Sequence, residues 1–156
     1  MIRTKKRLWL CCILLTVNLA FIWGNSLLPG EISGAFSDFV RDLLAPLFGS
    51  KPGSSSGGGL LRKLAHFTEF TCLGLCLCWL FGMLQNKPQK YIVFSLLCGF
   101  STACIDETIQ CFVPLRGPSI KDVGIDTLGV ILGIAIISLI QAYKHKHTKH
   151  LEENKL

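Results

Sequence analysis

Four apolar segments dominate the pattern of hydrophobic and polar positions along the chain. They cover about residues 8–28, 64–84, 91–113 and 123–143. A helix needs about 20 predominantly apolar residues to cross a bilayer, and each segment has that length. The pattern therefore predicts an all-α integral membrane protein, a four-transmembrane helix bundle in a membrane domain of residues 8–143. The first segment has a basic start but no small-residue cleavage site after it, so we expect an uncleaved anchor.

A different pattern occupies residues 29–63, between the first two apolar segments. From Ile32 to Phe48, apolar residues recur every three or four positions, and serines and charged residues fill most of the opposite face. This spacing predicts an external amphipathic helix over 32–48. It would lie either on the membrane surface or on the rim of the protein itself. Residues 49–59 are mostly glycine and serine, which is typical of a flexible linker.

Charge placement predicts the orientation of the four helices. The chain has 156 residues, enough for one domain, and a formal net charge of +6. Ten of the sixteen Lys and Arg residues precede the first segment, separate the second from the third, or follow the fourth. The positive-inside rule then places both termini, including the basic tail of residues 144–156, in the cytoplasm. Because the charges lie at segment ends, they indicate membrane topology and a lipid-bilayer partner, and no nucleic acid is expected.

Ionisable residues inside the apolar segments are the most informative feature of the chain. Such residues are costly in a membrane, so they are candidate functional residues. With four crossings, the external start of the second helix, the external end of the third and the external start of the fourth lie at one depth. These positions carry nine polar residues: Lys63, His66, Glu69, Asp106, Glu107, Gln110, Arg116, Asp122 and Asp126. The topology therefore predicts one outward-facing site rich in carboxylates, just below the outer headgroups.

Helical phase predicts which way these residues point. At 100° per residue, Asp106, Glu107 and Gln110 share one face of the third helix. Asp122 and Asp126 share a stripe with Gly129-x-x-x-Gly133, and small residues at this spacing allow helices to approach closely. We therefore expect the two aspartates to face the interior of the bundle. An alternative is that the polar set is only a buried network that fixes the helices.

Three stretches of this sequence together resemble the VanZ family of small bacterial membrane proteins. The resemblance covers about residues 20–135. The matching positions are Lys63-x-x-His66-Phe67-x-Glu69, then Asp106-Glu107-x-x-Gln110-x-Phe112-x-Pro114-x-Arg116, and then Asp122, Gly129 and Gly133. Asn25-Ser26 and the following Pro29-Gly30 resemble the family's serine-bearing segment after its first helix. Two positions depart from the pattern, because Asp126 stands where the family usually has Asn and Phe70 where Tyr is common.

The resemblance implies a multi-pass protein of the bacterial cell membrane with a link to teicoplanin-type glycopeptide resistance. A family name is not an activity, so three functions stay open. The first is an enzyme acting on an amphiphilic envelope molecule. The second is a protein that binds a lipid-linked envelope precursor or a lipoglycopeptide without turnover. The third is a proton-coupled transporter or a helix bundle that stabilises a partner.

In the enzyme hypothesis, the predicted site divides into a catalytic and a substrate-binding set. His66 or Glu69 would act as general base, and Asp106, Glu107 and Asp122 would hold protons or a divalent metal ion. The remaining four residues would contact substrate, with the guanidinium of Arg116 holding an anion. The sequence leaves the identity of the metal and the oligomeric state open. Its eight cysteines show no CxxC motif and no zinc-ligand spacing, and are expected to be apolar filler.

Overall fold

The chain folds into five α-helices. The structure is a computed structural model that describes residues 2–44, 58–85, 87–117 and 119–153. Within these ranges there is no strand, and the elements are α1 (Ile2–Ser26), α2 (Gly30–Leu44), α3 (Gly58–Leu84), α4 (Pro88–Gln110) and α5 (Ile120–Glu153). All but α2 contain a stretch long and apolar enough to span a membrane: Lys5–Ser26, Leu60–Leu84, Pro88–Gln110 and Ile120–Lys144. The prediction of an all-α, four-helix membrane bundle with an amphipathic helix after its first helix is confirmed.

Several helices begin or end away from the predicted positions. Helix α3 begins at Gly58, so Gly58 and Gly59 are helical rather than linker. Helix α4 ends at Gln110, three residues early, because Phe112 N–H and Val113 N–H bond three residues back and a proline follows. Helix α5 continues to Glu153, through most of the predicted basic tail. Residues 45–57, with the end of the predicted amphipathic helix and most of the linker, lie outside the described residues.

Close packing of α3 on α5 forms the centre of the bundle. A Cβ at Gly129 would lie 2.5 Å from the carbonyl oxygen of Phe67, and a Cβ at Gly133 would meet the carbonyl oxygen of Thr71. Neither position has room for a side chain, so the small-residue spacing allows the two backbones to touch. Phe70 and Val130 are fully buried in the core beside this contact. Asp126, one turn before Gly129, consequently faces the bundle interior.

Helix α2 lies on the rim of the bundle and packs against α3. Its serines Ser33 and Ser37 are buried, whereas Ile32, Phe39 and Leu43 are exposed. The helix therefore turns serines toward the protein and apolar side chains outward. The sequence left open whether this helix lies on the membrane surface or on the rim of the protein. The structure places it on the rim, and its apolar outer face also suits contact with lipid.

Candidate functional site

One end of the bundle gathers the polar residues of the apolar helices. At this end, here called the site end, α1 and α4 finish and α3 and α5 begin. Most of the side chains here are buried, although all except Arg116 belong to helices otherwise apolar enough for a membrane. All nine residues predicted from the sequence lie at the site end, together with Arg62 from α3 and Asn25 and Ser26 from α1.

Asp106 lies at the middle of this polar set and is fully buried. Its Oδ1 accepts a hydrogen bond from Ser26 Oγ at 2.6 Å, and its Oδ2 accepts one from Gln110 Nε2 at 2.9 Å. His66 Nδ1 lies 3.9 Å from Oδ2, which is too long for a hydrogen bond. These hydrogen bonds join α1 and α4 through one carboxylate, and they leave the facing nitrogen of His66 on α3 without a hydrogen-bond partner in the described part of the chain.

Two arginines hold the network from either side. Arg62 donates to Gln110 Oε1 at 2.9 Å. Arg116 donates to the backbone carbonyls of Asn25 at 3.0 Å and Ser26 at 3.3 Å, which satisfies acceptors that the end of α1 leaves open. Burial lowers the pKa of Arg116 from its usual value, and the nearby Arg62 lowers it further. Arg116 therefore caps α1 and is not among the lining residues of the polar cavity described below, and its predicted contact with substrate stays a prediction.

Two further carboxylates, Glu107 on α4 and Asp122 on α5, have partners of their own. Glu107 Oε2 accepts a hydrogen bond from the backbone N–H of Ser119 at 2.8 Å, which fixes the start of α5. Asp122 pairs with Lys63, whose Nζ lies 3.5 Å from Oδ1, and both side chains are partly exposed at 33% and 47%. Such a pair contributes little stability because solvent screens it. Both residues are therefore available at the mouth of the site.

Glu69 lies on a different side of α3 from the polar cavity. Its Oε1 accepts a hydrogen bond from Asn25 Nδ2 at 3.2 Å, whereas its buried Oε2 has no partner. The residue lines an apolar groove bounded by α1, α2 and α3, and the neighbouring Asn18 donates to its backbone carbonyl. The sequence predicted one site for His66 and Glu69, and the structure instead places them in adjoining spaces.

Two cavities adjoin at the site end. The polar cavity has a volume of about 120 Å³ and is lined by Arg62, Lys63, His66, Glu107, Gln110, Asp122, Ile125 and Asp126. The apolar groove has a volume of about 870 Å³, and its walls include Phe21, Leu28, Val40, Leu64 and Cys72. Arg62 lines both. The polar cavity and the apolar groove therefore meet at the guanidinium of Arg62. Together they suit a molecule that has both a polar group and a hydrocarbon chain.

Three buried side chains converge deeper in the polar set. One nitrogen of His66 and one oxygen each of Asp106 and Asp126 all lie within 4.8 Å of one another. Asp126 is fully buried, and neither of its oxygens has a hydrogen-bond partner among the residues that the structure describes. Asp126 was expected from the sequence to contact substrate, and its position beside His66 also makes it a possible metal ligand.

Besides Arg62, the set of predicted site residues omitted Asn25 and Ser26 of α1. They close an otherwise apolar helix and lie, by topology, at the same depth as the other polar residues. This position was the sequence feature that could have identified them as site residues, because two polar residues at the end of a membrane span need buried hydrogen-bond partners. Ser26 meets Asp106 across 80 positions of sequence, a pairing that helical phase alone could not identify.

Comparison with known proteins gives one result. No curated protein and no solved structure matches the chain. The family model described as VanZ/LLP1 matches residues 7–141, which include α3, α4, most of the membrane-spanning stretches of α1 and α5, and every residue of the site. The chain therefore belongs to the VanZ/LLP1 family.

Proposed function

We propose that this membrane protein binds an amphiphilic molecule of the bacterial envelope, with one polar group in the polar cavity and a hydrocarbon chain in the apolar groove. The observation that carries the proposal is that Arg62 lines both spaces. The groove volume of about 870 Å³ is within the range of roughly 300–1,000 Å³ that is usual for small-molecule sites. The site end would face outward, as the distribution of Lys and Arg predicts.

The size of the polar cavity limits what it accommodates. At about 120 Å³ it is well below the usual small-molecule range, so it holds one functional group rather than a whole glycopeptide or sugar headgroup. The rest of the headgroup would lie at the exposed mouth formed by Lys63 and Asp122. Suitable ligands are therefore a lipid-linked envelope precursor, or the lipid-bearing part of a lipoglycopeptide. A contribution to teicoplanin-type glycopeptide resistance follows from such binding and from the VanZ resemblance.

The cavity residues also supply groups for turnover of the bound molecule. His66 and Glu107 both line it, and either could accept or donate a proton at the enclosed group. A transporter is less favoured, because transporter sites lie near the midplane of the membrane and this polar set lies at one end of the spans. The competing function is a structural one, favoured by the hydrogen bonds that tie α1 to α4 through Asp106 and α3 to α4 through Arg62 and Gln110.

Filling the groove tests the proposal without touching the polar residues. Ala65 lines the groove at an exposed position of α3, and Ala65→Trp would occupy part of it. Ala135→Trp is the matched control, because Ala135 is exposed on α5 and does not line the groove. Purified protein would be titrated with phosphatidylglycerol that carries a fluorescent acyl chain. We expect the groove variant to bind at least several-fold more weakly than the wild type and the control to bind equally well.

The opposite outcomes are equally informative. Equal binding by all three proteins would mean that the groove is not the hydrocarbon site. Equal weakening in both tryptophan variants would indicate a general effect of the added ring on the bundle. Labelled phosphatidylcholine supplies the headgroup comparison, and weaker binding of this zwitterionic lipid is expected if Arg62 and Lys63 hold the polar group.

A further inference from the structure

We propose that His66, Asp106 and Asp126 form a binding site for one divalent transition-metal ion. The predicted metal ligands were Asp106, Glu107 and Asp122, and the geometry points to a different set. Glu107 already accepts a hydrogen bond from a backbone N–H, and Asp122 already forms a salt bridge with a lysine, so these two carboxylates have partners without a metal ion. The proposal does not depend on lipid binding, since a metal ion can be measured on the protein alone.

Asp126 gives the first argument. It is fully buried, and both of its carboxylate oxygens lack a hydrogen-bond partner among the described residues. A buried charge without a partner is strongly destabilising, so a carboxylate in this position needs a bound cation or a bound proton. His66 is also buried, and its Nδ1 also lacks a hydrogen-bond partner among the described residues.

The spacing of the three ligands gives the second argument. His66 Nδ1 and Asp106 Oδ2 are 3.9 Å apart, too long for a hydrogen bond. Two atoms bound to one ion at about 2.0–2.2 Å each are separated by at most about 4.4 Å. All three ligand atoms lie within 4.8 Å of one another, so small side-chain rotations bring them into coordination distance.

The surroundings of the three ligands resemble those of a working metal centre. Ser26 and Gln110 each donate a hydrogen bond to Asp106, and such outer contacts orient metal-binding carboxylates. His66 and Asp126 also line the polar cavity, so an ion held here would have an open side toward that cavity. Three protein ligands and one open position are typical of catalytic rather than structural metal sites.

The charge balance of the site end favours a cation. In their ionised forms, the four carboxylates at and beside the polar cavity (Asp106, Glu107, Asp122 and Asp126) face only the two cationic side chains of its lining, Arg62 and Lys63, which leaves an excess of two negative charges. One divalent ion would neutralise this excess. It would also allow the polar cavity to accept an anionic group, which the carboxylates alone would repel. One imidazole with two carboxylates suits Zn²⁺ or Mn²⁺ better than Ca²⁺, which prefers six or more oxygen ligands.

The test is metal binding to purified full-length protein in detergent, first stripped with a chelator. Mn²⁺ and Zn²⁺ would be titrated separately, and bound metal would be counted by mass spectrometry after desalting. Mn²⁺ is the sharper probe because cysteine thiolates favour Zn²⁺. We expect one equivalent of metal per chain. His66→Ala and Asp126→Asn should each weaken binding by more than about tenfold, since even the loss of an outer hydrogen-bond partner costs about 10–100-fold at other metal sites.

Asp122→Asn is the matched control for metal affinity. It removes a carboxylate from the same cavity without removing a proposed ligand, so its metal affinity should stay within about threefold of the wild type. Melting curves with and without metal keep the proposal testable if one variant is poorly folded, because only a protein that binds the ion gains stability from it. Absence of stoichiometric binding for both ions would overturn the proposal. Unchanged metal affinity in Asp126→Asn would also overturn the proposal and would indicate that this carboxyl group is simply protonated. A loss of metal affinity in Asp122→Asn equal to the losses in the ligand variants would overturn it as well.

Discussion

Asp106→Asn removes the charge from a fully buried carboxylate while keeping its shape. The asparagine Oδ1 can still accept from Gln110, and its Nδ2 can donate to Ser26 Oγ, so the network stays connected. Each of the two bonds changes from charge-assisted to neutral, at a cost of about 1 kcal/mol. Removing the buried charge also removes a desolvation penalty of several kcal/mol, which offsets the cost of the weaker hydrogen bonds. We therefore expect stability close to that of the wild type, with loss of function.

Asp106→Ala shows what a structural loss would look like. It removes the same buried charge as asparagine does, but it leaves Ser26 Oγ without its acceptor and Gln110 Nε2 with only its 3.2 Å bond to Ser26 Oγ, at a cost of about 1–3 kcal/mol relative to the asparagine variant. For a chain of this size, 1 kcal/mol shifts Tm by roughly 2–4 °C. The alanine variant should therefore melt about 2–12 °C below the asparagine variant, which itself should melt within about 5 °C of the wild type. Both comparisons use the purified protein in detergent and its abundance in membranes.

Function is measured beside stability, as binding of the labelled lipid and as teicoplanin susceptibility of cells that produce the protein. Glu107→Gln is tested in parallel, since its amide oxygen can keep the bond to Ser119. Loss of function at normal abundance in both amide variants is the expected result. Full function in both amide variants would refute the reasoning, because a network that only fixes helices does not need the charge.

Three further predictions follow from other parts of the structure. Gly133→Ala should destabilise the bundle by about 1–3 kcal/mol because its Cβ would meet the α3 backbone. Gly124→Ala is the control and should be neutral or slightly stabilising, since Gly124 has open space around it. Thermal melting of both variants in detergent measures the difference. Arg116→Lys should lower Tm, because an ammonium cannot span the two carbonyls at the end of α1 as a guanidinium does. In a cysteine-free background, an impermeant thiol reagent should label Ser55→Cys but not Thr148→Cys on intact cells, and the reverse pattern would overturn the proposed orientation.

Sequence and structure agree where a strong physical constraint acts on many residues. The cost of polar backbone in lipid makes four long apolar runs a reliable sign of four helices. The same constraint makes buried ionisable residues stand out, and topology alone brought α3, α4 and α5 to one polar end. Close approach of α5 to α3 was visible in Gly129 and Gly133 because only small residues permit it.

The details of the site depended on contacts that the sequence does not encode locally. The partner of Asp106 is a serine 80 positions away, and the partner of Glu107 is a backbone N–H. Rotation of α3 about its own axis sends Glu69 to the groove and His66 to the cavity, although three-residue spacing makes them neighbours on the helix. Arg116 follows a loop whose path is set by packing, including Leu115 at a φ of 60°. Helical phase could not predict this position.

The most direct measurement uses the protein and a lipid extract from bacterial membranes. Purified wild type and Asp106→Asn would each be incubated with the extract, with Mn²⁺ or with a chelator, and then washed. Mass spectrometry would compare the lipids retained on the protein, and those left in the extract, with the starting mixture. The account predicts that the wild type selectively retains or alters an anionic lipid class, and that Asp106→Asn does not. Identical lipid profiles for the two proteins under both conditions would contradict it.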